Sequence, residues 1–135
     1  MEIVSATLAN IPEIMKINRS LGDLGEYCDP DILERRLPNY FVAKIKNKAV
    51  GAIQLVRGFA RSTFNINTLA VAHESQRKGI GRNLVEFAKE HTEKKKGKRL
   101  TVESHTIYEA KEFYEKCGFT PMGEVADTYR FEMEL

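Results

Sequence analysis

Cysteine is scarce in this chain of 135 residues, which contains only Cys28 and Cys117. Two cysteines are too few for a disulfide framework, and no CxxC pair suggests a metal site. We therefore expect both to be small buried thiols. No apolar run approaches the length of a membrane span, and the N-terminal residues lack a secretory signal pattern. The sequence thus predicts a cytoplasmic protein.

The chain also lacks a strong excess of either charge. It has 21 basic and 19 acidic residues, a net charge of +2. Five of the basic residues lie in Lys94–Arg99, so the other segments together carry −3. That run follows a predicted helix, and the helix dipole favours cations at this end. We interpret it as a solvated helix terminus. The alternatives are a nucleic-acid surface or a minor contribution to holding an anionic ligand.

Neither an internal repeat, a low-complexity segment nor an interdomain linker is found in the sequence. The length is that of one domain, and we expect a single domain over residues 1–135. The apolar patterns predict seven strands: Glu2–Leu8, Tyr40–Ile45, Ala49–Arg57, Arg61–Ala72, Arg99–Glu103, Phe119–Val125 and Thr128–Leu135. They predict four helices: Asn10 to about Ser20, Pro30–Leu37, about Gly79–Lys95 and Ile107–Lys116.

Several local signals support these elements. Asn10 and Glu13 have capping-box spacing, and Asp29 precedes a proline in a first helical turn. Arg61–Ala72 is expected to be the longest strand. The path from that strand through a helix to Arg99–Glu103 is a βαβ crossover, so these two strands should be parallel. The prediction is a mixed α/β domain whose single central sheet is mostly antiparallel.

The stretch Thr68–Leu84 joins a buried strand to a helix through a basic loop that contains glycine. The first N–H groups of a helix have no helical partner, and the dipole is positive there. Glycine allows the backbone to approach a ligand, and Arg77, Lys78 and Arg82 add positive charge. These features are typical of a phosphate site. The loop fits neither GxGxxG nor GxxxxGK[ST], so a dinucleotide or nucleoside triphosphate is not indicated.

Two motifs resemble those of the GNAT superfamily of acyl-CoA-dependent N-acetyltransferases. Gln76–Gly81, QRKGIG, fits the signature Gln/Arg-x-x-Gly-x-Gly/Ala and opens a helix after a strand. Ala110–Phe119, AKEFYEKCGF, resembles the later motif of the family, an alanine followed by an aromatic-rich helix end and Gly-Phe. One helix and one strand separate the two motifs, as in the family. The resemblance implies a GNAT-like fold, with a splayed parallel strand pair and about four flanking helices.

The resemblance also implies acetyl-CoA as co-substrate and no metal. Backbone N–H groups of the loop would hold the CoA pyrophosphate, at Gln76, Arg77, Lys78, Gly79, Ile80, Gly81 and Arg82. The preceding strand would bond the pantetheine arm at Leu69, Ala70 and Val71. An N–H near Leu69 would polarise the thioester carbonyl. The asparagine that many members carry about seven residues before the tyrosine is replaced by Ile107, so that contact is not implied here.

By the same resemblance, a primary amine attacks the thioester directly. Tyr114 matches the general acid that protonates the departing thiolate, since a phenol with a pKa of about 10 can donate to it. Asn65 and Asn67 occupy positions where many relatives carry a base, but an amide cannot accept the proton. Glu103 and His105 are the remaining candidates for the base. His73 and Glu26 are weaker ones.

The acceptor and the partners are less constrained by the sequence. The acidic loop Gly22–Asp29, with Glu26 and Tyr27, suggests a wall that prefers a cationic amine. Glu124 and Asp127 add acidity near the last hairpin, and a peptide amine fits almost as well. We expect neither a nucleic acid nor a membrane as partner, and the alternating C-terminal strand could pair in a homodimer. The alternative function is a GNAT-fold module that binds acyl-CoA without catalysis.

Overall fold

Seven strands form one sheet with the order β1-β2-β3-β4-β5-β7-β6 in the computed structural model, which describes residues 1–21, 28–106 and 109–135. The strands are β1 (Glu2–Ser5), β2 (Tyr40–Ile45), β3 (Lys48–Arg57), β4 (Thr63–Val71), β5 (Arg99–His105), β6 (Thr120–Val125) and β7 (Thr128–Glu134). The described α-helices are α1 (Ile11–Asn18), α2 (Pro30–Arg36), α3 (Ile80–Lys94) and α4 (Lys111–Lys116). Strands β4 and β5 are parallel, with Thr63 opposite Arg99. The predicted mixed α/β fold and its parallel pair are confirmed.

Strand β1 is shorter than predicted, and the capping box at Asn10 does not form as expected. Leu8–Asn10 is a 3-10 turn, in which Asn10 Oδ1 accepts a hydrogen bond of 2.9 Å from the Thr7 N–H. Glu13 does not reach back to a backbone N–H of its own helix start. One of its oxygens accepts from Asn10 Nδ2 at 3.0 Å and the other from the Ala49 N–H at 2.8 Å. The carboxylate therefore links α1 to the start of β3.

Two further predicted boundaries were wrong. Strand β4 has nine residues and β3 has ten, because Ser62 has a φ of +59° and interrupts the predicted strand before Thr63. Helix α4 begins at Lys111 and not at Ile107. Residues 107 and 108 lie outside the described ranges, and Glu109 has a φ of +50°, which an α-helix does not allow.

The chain divides into two compact units, residues 1–54 with 68–84 and residues 55–67 with 85–135. The prediction of a single domain stays a prediction. In the first unit, Asp29 Oδ1 caps α2 by accepting from the N–H groups of Asp31 and Ile32 at 2.9 and 3.1 Å. The core of this unit is built from α1, α2 and the strands, with buried Ile14, Ile17, Leu33, Tyr40, Val42, Ala49, Ala52, Ala70 and Ala72.

The second unit contains β5, β6 and β7, and β7 lies between the other two strands. Its buried apolar side chains include Phe64, Ile66, Val85, Ala88, Leu100, Val102, Phe119, Phe131 and Met133. Strand β7 pairs with β5 on one side and with β6 on the other. It therefore has no free edge through which a second copy of the chain could extend the sheet.

The expectation that both cysteines are buried was wrong, since Cys28 and Cys117 are half-buried. The Cys28 Sγ lies 3.6 Å from the Met15 carbonyl oxygen, to which it donates. Within the described ranges, no group of three His, Cys, Asp or Glu side chains is arranged to hold a metal ion. None of the described helices is long and apolar enough to cross a membrane.

A buried polar cluster lies in the first unit. The Tyr40 hydroxyl is 3.3 Å from Asn18 Nδ2 and 3.2 Å from Thr68 Oγ1. Gln54 is opposite Tyr40 in the β2–β3 ladder and is only 2% exposed. Its Oε1 has no hydrogen-bond partner in the part of the chain that the structure describes.

The Gln54→Met substitution should leave the free energy of unfolding unchanged or raise it by about 1 kcal/mol, because a buried acceptor without a partner costs about 1–3 kcal/mol. Thr68→Val removes a satisfied hydroxyl and should lower the same free energy by about 1 kcal/mol. Urea denaturation of both variants measures the two changes. A loss for Gln54→Met as large as that for Thr68→Val would show that Gln54 is hydrogen-bonded.

Candidate active site

A short turn connects β4 to the basic loop in the first unit. His73–Ser75 form a 3-10 turn, in which the Ser75 N–H donates to the Ala72 carbonyl at 2.8 Å. The side chain of Gln76 then folds back, and its Nε2 donates to the Val71 carbonyl at 3.2 Å. This glutamine therefore fixes the loop against the end of β4. The sequence motif contained Gln76, but it did not indicate that its side chain has this clamping role.

The loop backbone takes an unusual conformation at two positions. Arg77 has a φ of +64° and Gly79 a φ of +80°. Positive φ values within a turn favour concave arrangements of N–H groups that bind anions. A side chain at Gly79 would meet no described atom within 4 Å, so the space beside its Cα is open. A ligand can therefore approach the backbone closely at Gly79.

Helix α3 begins directly after Gly79 and presents its free N–H groups. The Asn83 N–H donates to the Gly79 carbonyl at 3.0 Å, so the preceding N–H groups of the first turn have no helical acceptor. Ile80 and Leu84 are 3% and 0% exposed, and their burial anchors the start of the helix. The result is an ordered helix N-terminus of the kind that binds phosphate groups.

Three cations surround this helix start. Arg77, Lys78 and Arg82 are exposed, and none of them forms an ion pair with a described residue. Because the positive dipole of the helix adds to their charges, an anion should be attracted here. The loop therefore has the donors and the charge that a pyrophosphate requires.

Glu74 is an acidic residue next to this loop, and its ionised form is stabilised by groups of the first unit. The pKa of Glu74 is lowered, first by a hydrogen bond from the backbone and then by the charges of Lys16, Lys48 and His73. Its carboxylate is thus matched by cations outside the loop. His73, a weaker candidate for the base, is exposed in the same turn.

Strand β4 continues beyond its parallel ladder. The β4–β5 pairing ends at Ile66 and Val102, whereas β4 itself runs on to Val71. Leu69 and Val71 lie in this continuation and are half-buried, and Ala70 between them is buried in the first unit. The short ladder agrees with the prediction that the two parallel strands splay apart.

Tyr114 lies in the second unit, within an aromatic cluster on α4. It is 6% exposed, and its ring centroid lies 5.1, 5.6 and 5.4 Å from those of Phe113, Phe119 and Phe131. Burial raises the pKa of Tyr114 well above its ordinary value, and the neighbouring Cys117 raises it further. The phenol is therefore neutral at physiological pH, and its hydroxyl can donate a hydrogen bond.

Asn65 and Asn67 are linked to each other in the second unit. Asn65 Nδ2 donates to Asn67 Oδ1 at 2.6 Å, and the Thr101 hydroxyl donates to Asn65 Oδ1 at 2.8 Å. This amide pair is a polar arrangement that contains no basic group. Thr101 was missed from the sequence, because only the β4–β5 register brings it opposite Asn65.

The two candidate bases on β5 differ in their surroundings. Glu103 Oε1 lies 3.4 Å from Arg130 Nε, and Arg130 is its direct partner on β7. His105 is exposed at the end of β5 and lies two residues further along the same face. The Glu103 carboxylate is thus engaged in an ion pair, and His105 lies at the end of the strand.

The predicted site residues thus fall into two groups. The first unit holds the candidate cofactor residues Leu69, Ala70, Val71, Gln76, Arg77, Lys78, Gly79, Ile80, Gly81 and Arg82. The second holds Asn65, Asn67, Glu103, His105 and Tyr114. Glu26 and Tyr27, the predicted acceptor residues of the acidic loop, lie outside the described residues.

Comparison with known families supports the motif assignment. A family model described as an acetyltransferase (GNAT) domain matches residues 20–130. The chain belongs to this GNAT family. It is therefore an acyltransferase, and its general reaction is acetyl transfer. A search of curated protein sequences finds no match.

Solved GNAT structures share the fold at low sequence identity. PaiA N-acetyltransferase from Thermoplasma acidophilum, in complex with coenzyme A, has a TM-score of 0.87 and 16% identity over 99% of this chain and 98% of that one. Ard1 from Thermoplasma volcanium has a TM-score of 0.83 and 22% identity over 99% and 97%. N-acetylglutamate synthase from Neisseria gonorrhoeae, complexed with coenzyme A and N-acetyl-glutamate, has a TM-score of 0.87 and 19% identity. The match covers 99% of this GNAT chain and only 35% of the synthase.

Proposed function

We propose that this GNAT protein transfers an acetyl group from acetyl-CoA to a primary amine by direct attack on the thioester. The loop between β4 and α3 carries the proposal. It combines a helix N-terminus, positive φ values at Arg77 and Gly79, and three cations that form no ion pair with a described residue. The coenzyme A bound in the PaiA structure, which shares the fold, supports the same ligand.

The first unit would bind the cofactor. The N–H groups of Gln76–Arg82 would hold the pyrophosphate, and the exposed cations of the loop would add charge. The backbone of Leu69, Ala70 and Val71 would bond the pantetheine arm as an added strand would. An N–H near Leu69 would donate to the thioester oxygen, whose negative charge grows in the transition state.

The second unit would supply the leaving-group chemistry. The amine nitrogen attacks the carbonyl carbon, a tetrahedral oxyanion forms, and the C–S bond then breaks. The proton that the amine loses completes the thiol of coenzyme A. Because the pKa of Tyr114 is raised by burial, the phenol is a weaker acid than a thiol with a pKa of about 8.5. Tyr114 therefore serves mainly as a neutral hydrogen-bond donor to the departing thiolate, a weaker role than general acid.

We propose that Glu103 or His105 takes the amine proton. Carboxylates and imidazoles both serve as general bases in enzymes, and Glu103 Oε1 lies 3.4 Å from Arg130 Nε. The amides of Asn65 and Asn67 would orient water and not act as a base. Comparison of the pH–rate profiles of His105→Gln and Glu103→Gln decides between the two candidates. An unchanged profile in His105→Gln would eliminate the histidine.

The acceptor class is proposed from charge. Glu124 and Asp127 are exposed near the β6–β7 hairpin, and Glu26 belongs to the acidic loop. Such acids would attract a cationic amine, either a small polyamine-like molecule or a peptide amine. The N-acetyl-glutamate in the Neisseria synthase structure shows only that this fold accommodates an acetylated amine in that protein.

Calorimetric titration with acetyl-CoA tests the cofactor assignment. We expect saturable binding to a single site, with affinity falling as ionic strength rises, because the loop cations contact phosphates. Free adenosine, which lacks the pyrophosphate, is the matched ligand control and should bind much more weakly. Folded protein that shows no heat of binding with acetyl-CoA at high micromolar concentration would contradict the proposal.

A further inference from the structure

Two cationic segments of the second unit are joined at one end of the sheet. One is the turn Arg57–Ser62 between β3 and β4, and the other is Glu93–Lys98 at the end of α3. The Lys98 and Arg99 N–H groups both donate to the Ser62 carbonyl, at 2.7 and 3.2 Å. Residues far apart in the sequence thus form one continuous surface, which we call the basic–aromatic surface.

Packing beneath this surface holds the two segments firmly. The Arg57 guanidinium lies 4.9 Å from the centre of the Phe64 ring, and Phe64 meets His91 edge-on at 6.0 Å. A Cβ at Gly97 would come within 3.1 Å of the Phe64 ring and 2.5 Å of Thr92 Cγ2, so only glycine permits this approach. The backbone of the two segments is therefore pre-organised, so little backbone entropy is lost when a ligand binds.

Cations outnumber acids on this surface. Glu93 is its only acid, whereas its exposed cations are Arg57, Arg61, Lys94, Lys95, Lys96 and Lys98. Six of the 21 basic residues of a chain with a net charge of only +2 are thus concentrated here. Arg99 is not included, because its Nε pairs with Glu134 at 2.7 Å. The positive field is also felt at His91, whose pKa is lowered first by partial burial and then by Lys95 and Lys94.

An aromatic ring stands among these cations. Phe59 is fully exposed, at 114% of its reference area, at the tip of the Arg57–Ser62 turn. A phenylalanine gains nothing from such exposure in the free protein, since its whole apolar surface remains in water. The helix dipole accounts for lysines at the end of α3, but it accounts for neither Phe59 nor the two arginines of the turn.

We propose that the basic–aromatic surface binds single-stranded nucleic acid. The cations would contact the phosphates, and an unpaired base would stack on Phe59, which is the combination that sequence-tolerant single-strand binding uses. A duplex hides its base faces and would use the cations alone. The expectation of no nucleic-acid partner considered only the run Lys94–Arg99, and only the fold brings the Arg57–Ser62 turn beside that run.

Fluorescence anisotropy with labelled oligouridylate and oligothymidylate of about 16 nucleotides tests the proposal. We expect binding whose logarithm falls linearly with the logarithm of salt concentration, with a slope of about −0.7 for each phosphate contacted. Phe59→Ala should weaken binding by about 5- to 100-fold with the slope unchanged, because stacking is lost and no charge is removed. The triple variant Lys94→Gln, Lys95→Gln, Lys98→Gln should reduce the slope by about 2.

A second triple variant, Lys16→Gln, Lys46→Gln, Lys48→Gln, is the matched control, since these exposed lysines of the first unit give the same change in net charge. It should leave oligonucleotide affinity within about twofold of the native value. Equal weakening by the two triple variants would overturn the proposal in favour of a net-charge effect.

Two further results would also overturn the proposal. If duplex DNA binds with equal affinity and Phe59→Ala has no effect, the surface binds polyanions in general. If an acidic peptide binds and oligonucleotides do not, the ligand is not a nucleic acid. Acetyl transfer should be unchanged in Phe59→Ala, which separates this proposal from the proposed enzymatic function.

Discussion

Tyr114→Phe lowers kcat by about 100-fold and changes the KM for acetyl-CoA by no more than about twofold. The substitution removes only the hydroxyl and keeps the ring that packs against Phe113, Phe119 and Phe131. The departing thiolate then loses its proposed hydrogen-bond donor, which matters only as the C–S bond breaks. Steady-state kinetics with a reactive amine measure both parameters.

Tyr129→Phe is the matched control for this experiment. It removes a hydroxyl from another tyrosine of the second unit, whose ring lies 6.3 Å from that of Phe131. We expect its kcat to remain within about twofold of the native value. A similar fall in both variants, or none in Tyr114→Phe, would remove Tyr114 from the mechanism.

The raised pKa of Tyr114 also determines the alkaline part of the pH profile. Because burial stabilises the neutral phenol, its proton is lost only above the ordinary pKa of about 10. The rate should therefore rise with pH as the amine and its base lose protons, and then stay level up to about pH 10. A fall in rate between about pH 8 and 9 would show that turnover requires a protonated group other than Tyr114.

Gly79→Ala weakens acetyl-CoA binding by about 10- to 100-fold, which corresponds to about 1.4–2.8 kcal/mol. The residue has a φ of +80°, and the space beside its Cα is open. An alanine would strain this backbone by about 1–2 kcal/mol and place a methyl group where the phosphates are proposed to approach. Calorimetric titration with acetyl-CoA measures the change.

Gly123→Ala is the control that distinguishes the effect of backbone strain from the effect of a methyl group that blocks the ligand. Gly123 has a φ of +114°, and a Cβ there also meets no described atom within 4 Å. This control lies in β6 of the second unit and should cost similar stability while leaving acetyl-CoA affinity unchanged. Equal losses of affinity in both variants would mean that the loop around Gly79 is not the cofactor site.

Local features of the fold could be predicted because their causes lie within a few residues. Asp29 caps the helix that follows it, and Lys46 and Asn47 take positive φ values between β2 and β3, as a tight hairpin requires. The join from β4 to α3 was likewise evident from Leu69 to Ile80. Each of these signals is a short-range preference of the backbone.

Features that depend on distant partners could not be predicted. The Glu13 carboxylate bonds the Ala49 N–H, 36 residues away, instead of closing a capping box. Lys96 and not Gly97 takes the positive φ after α3, and a Cβ at Gly97 would lie 3.1 Å from the ring of Phe64, which is distant in the sequence. In both cases tertiary contacts decide between alternatives that are equivalent in sequence.

The distinction between local and long-range causes also applies to the candidate active site. The proposed cofactor loop is one continuous stretch, so its role could be predicted from a motif. The route of the amine proton depends on which side chains the sheet register brings together. Only the structure shows that Thr101 bonds Asn65 and that Arg130 pairs with Glu103.

The most direct test of acetyl transfer to an amine is a balanced product measurement. The protein is incubated with acetyl-CoA and a panel of polyamines, aminoglycosides and peptides, and mass spectrometry quantifies acetylated amine and free coenzyme A together. The account predicts that at least one amine is acetylated in equal amount to the coenzyme A released, and that Tyr114→Phe slows both products alike. Binding of acetyl-CoA without acetylation of any amine, or release of coenzyme A with free acetate as the only other product, would contradict it.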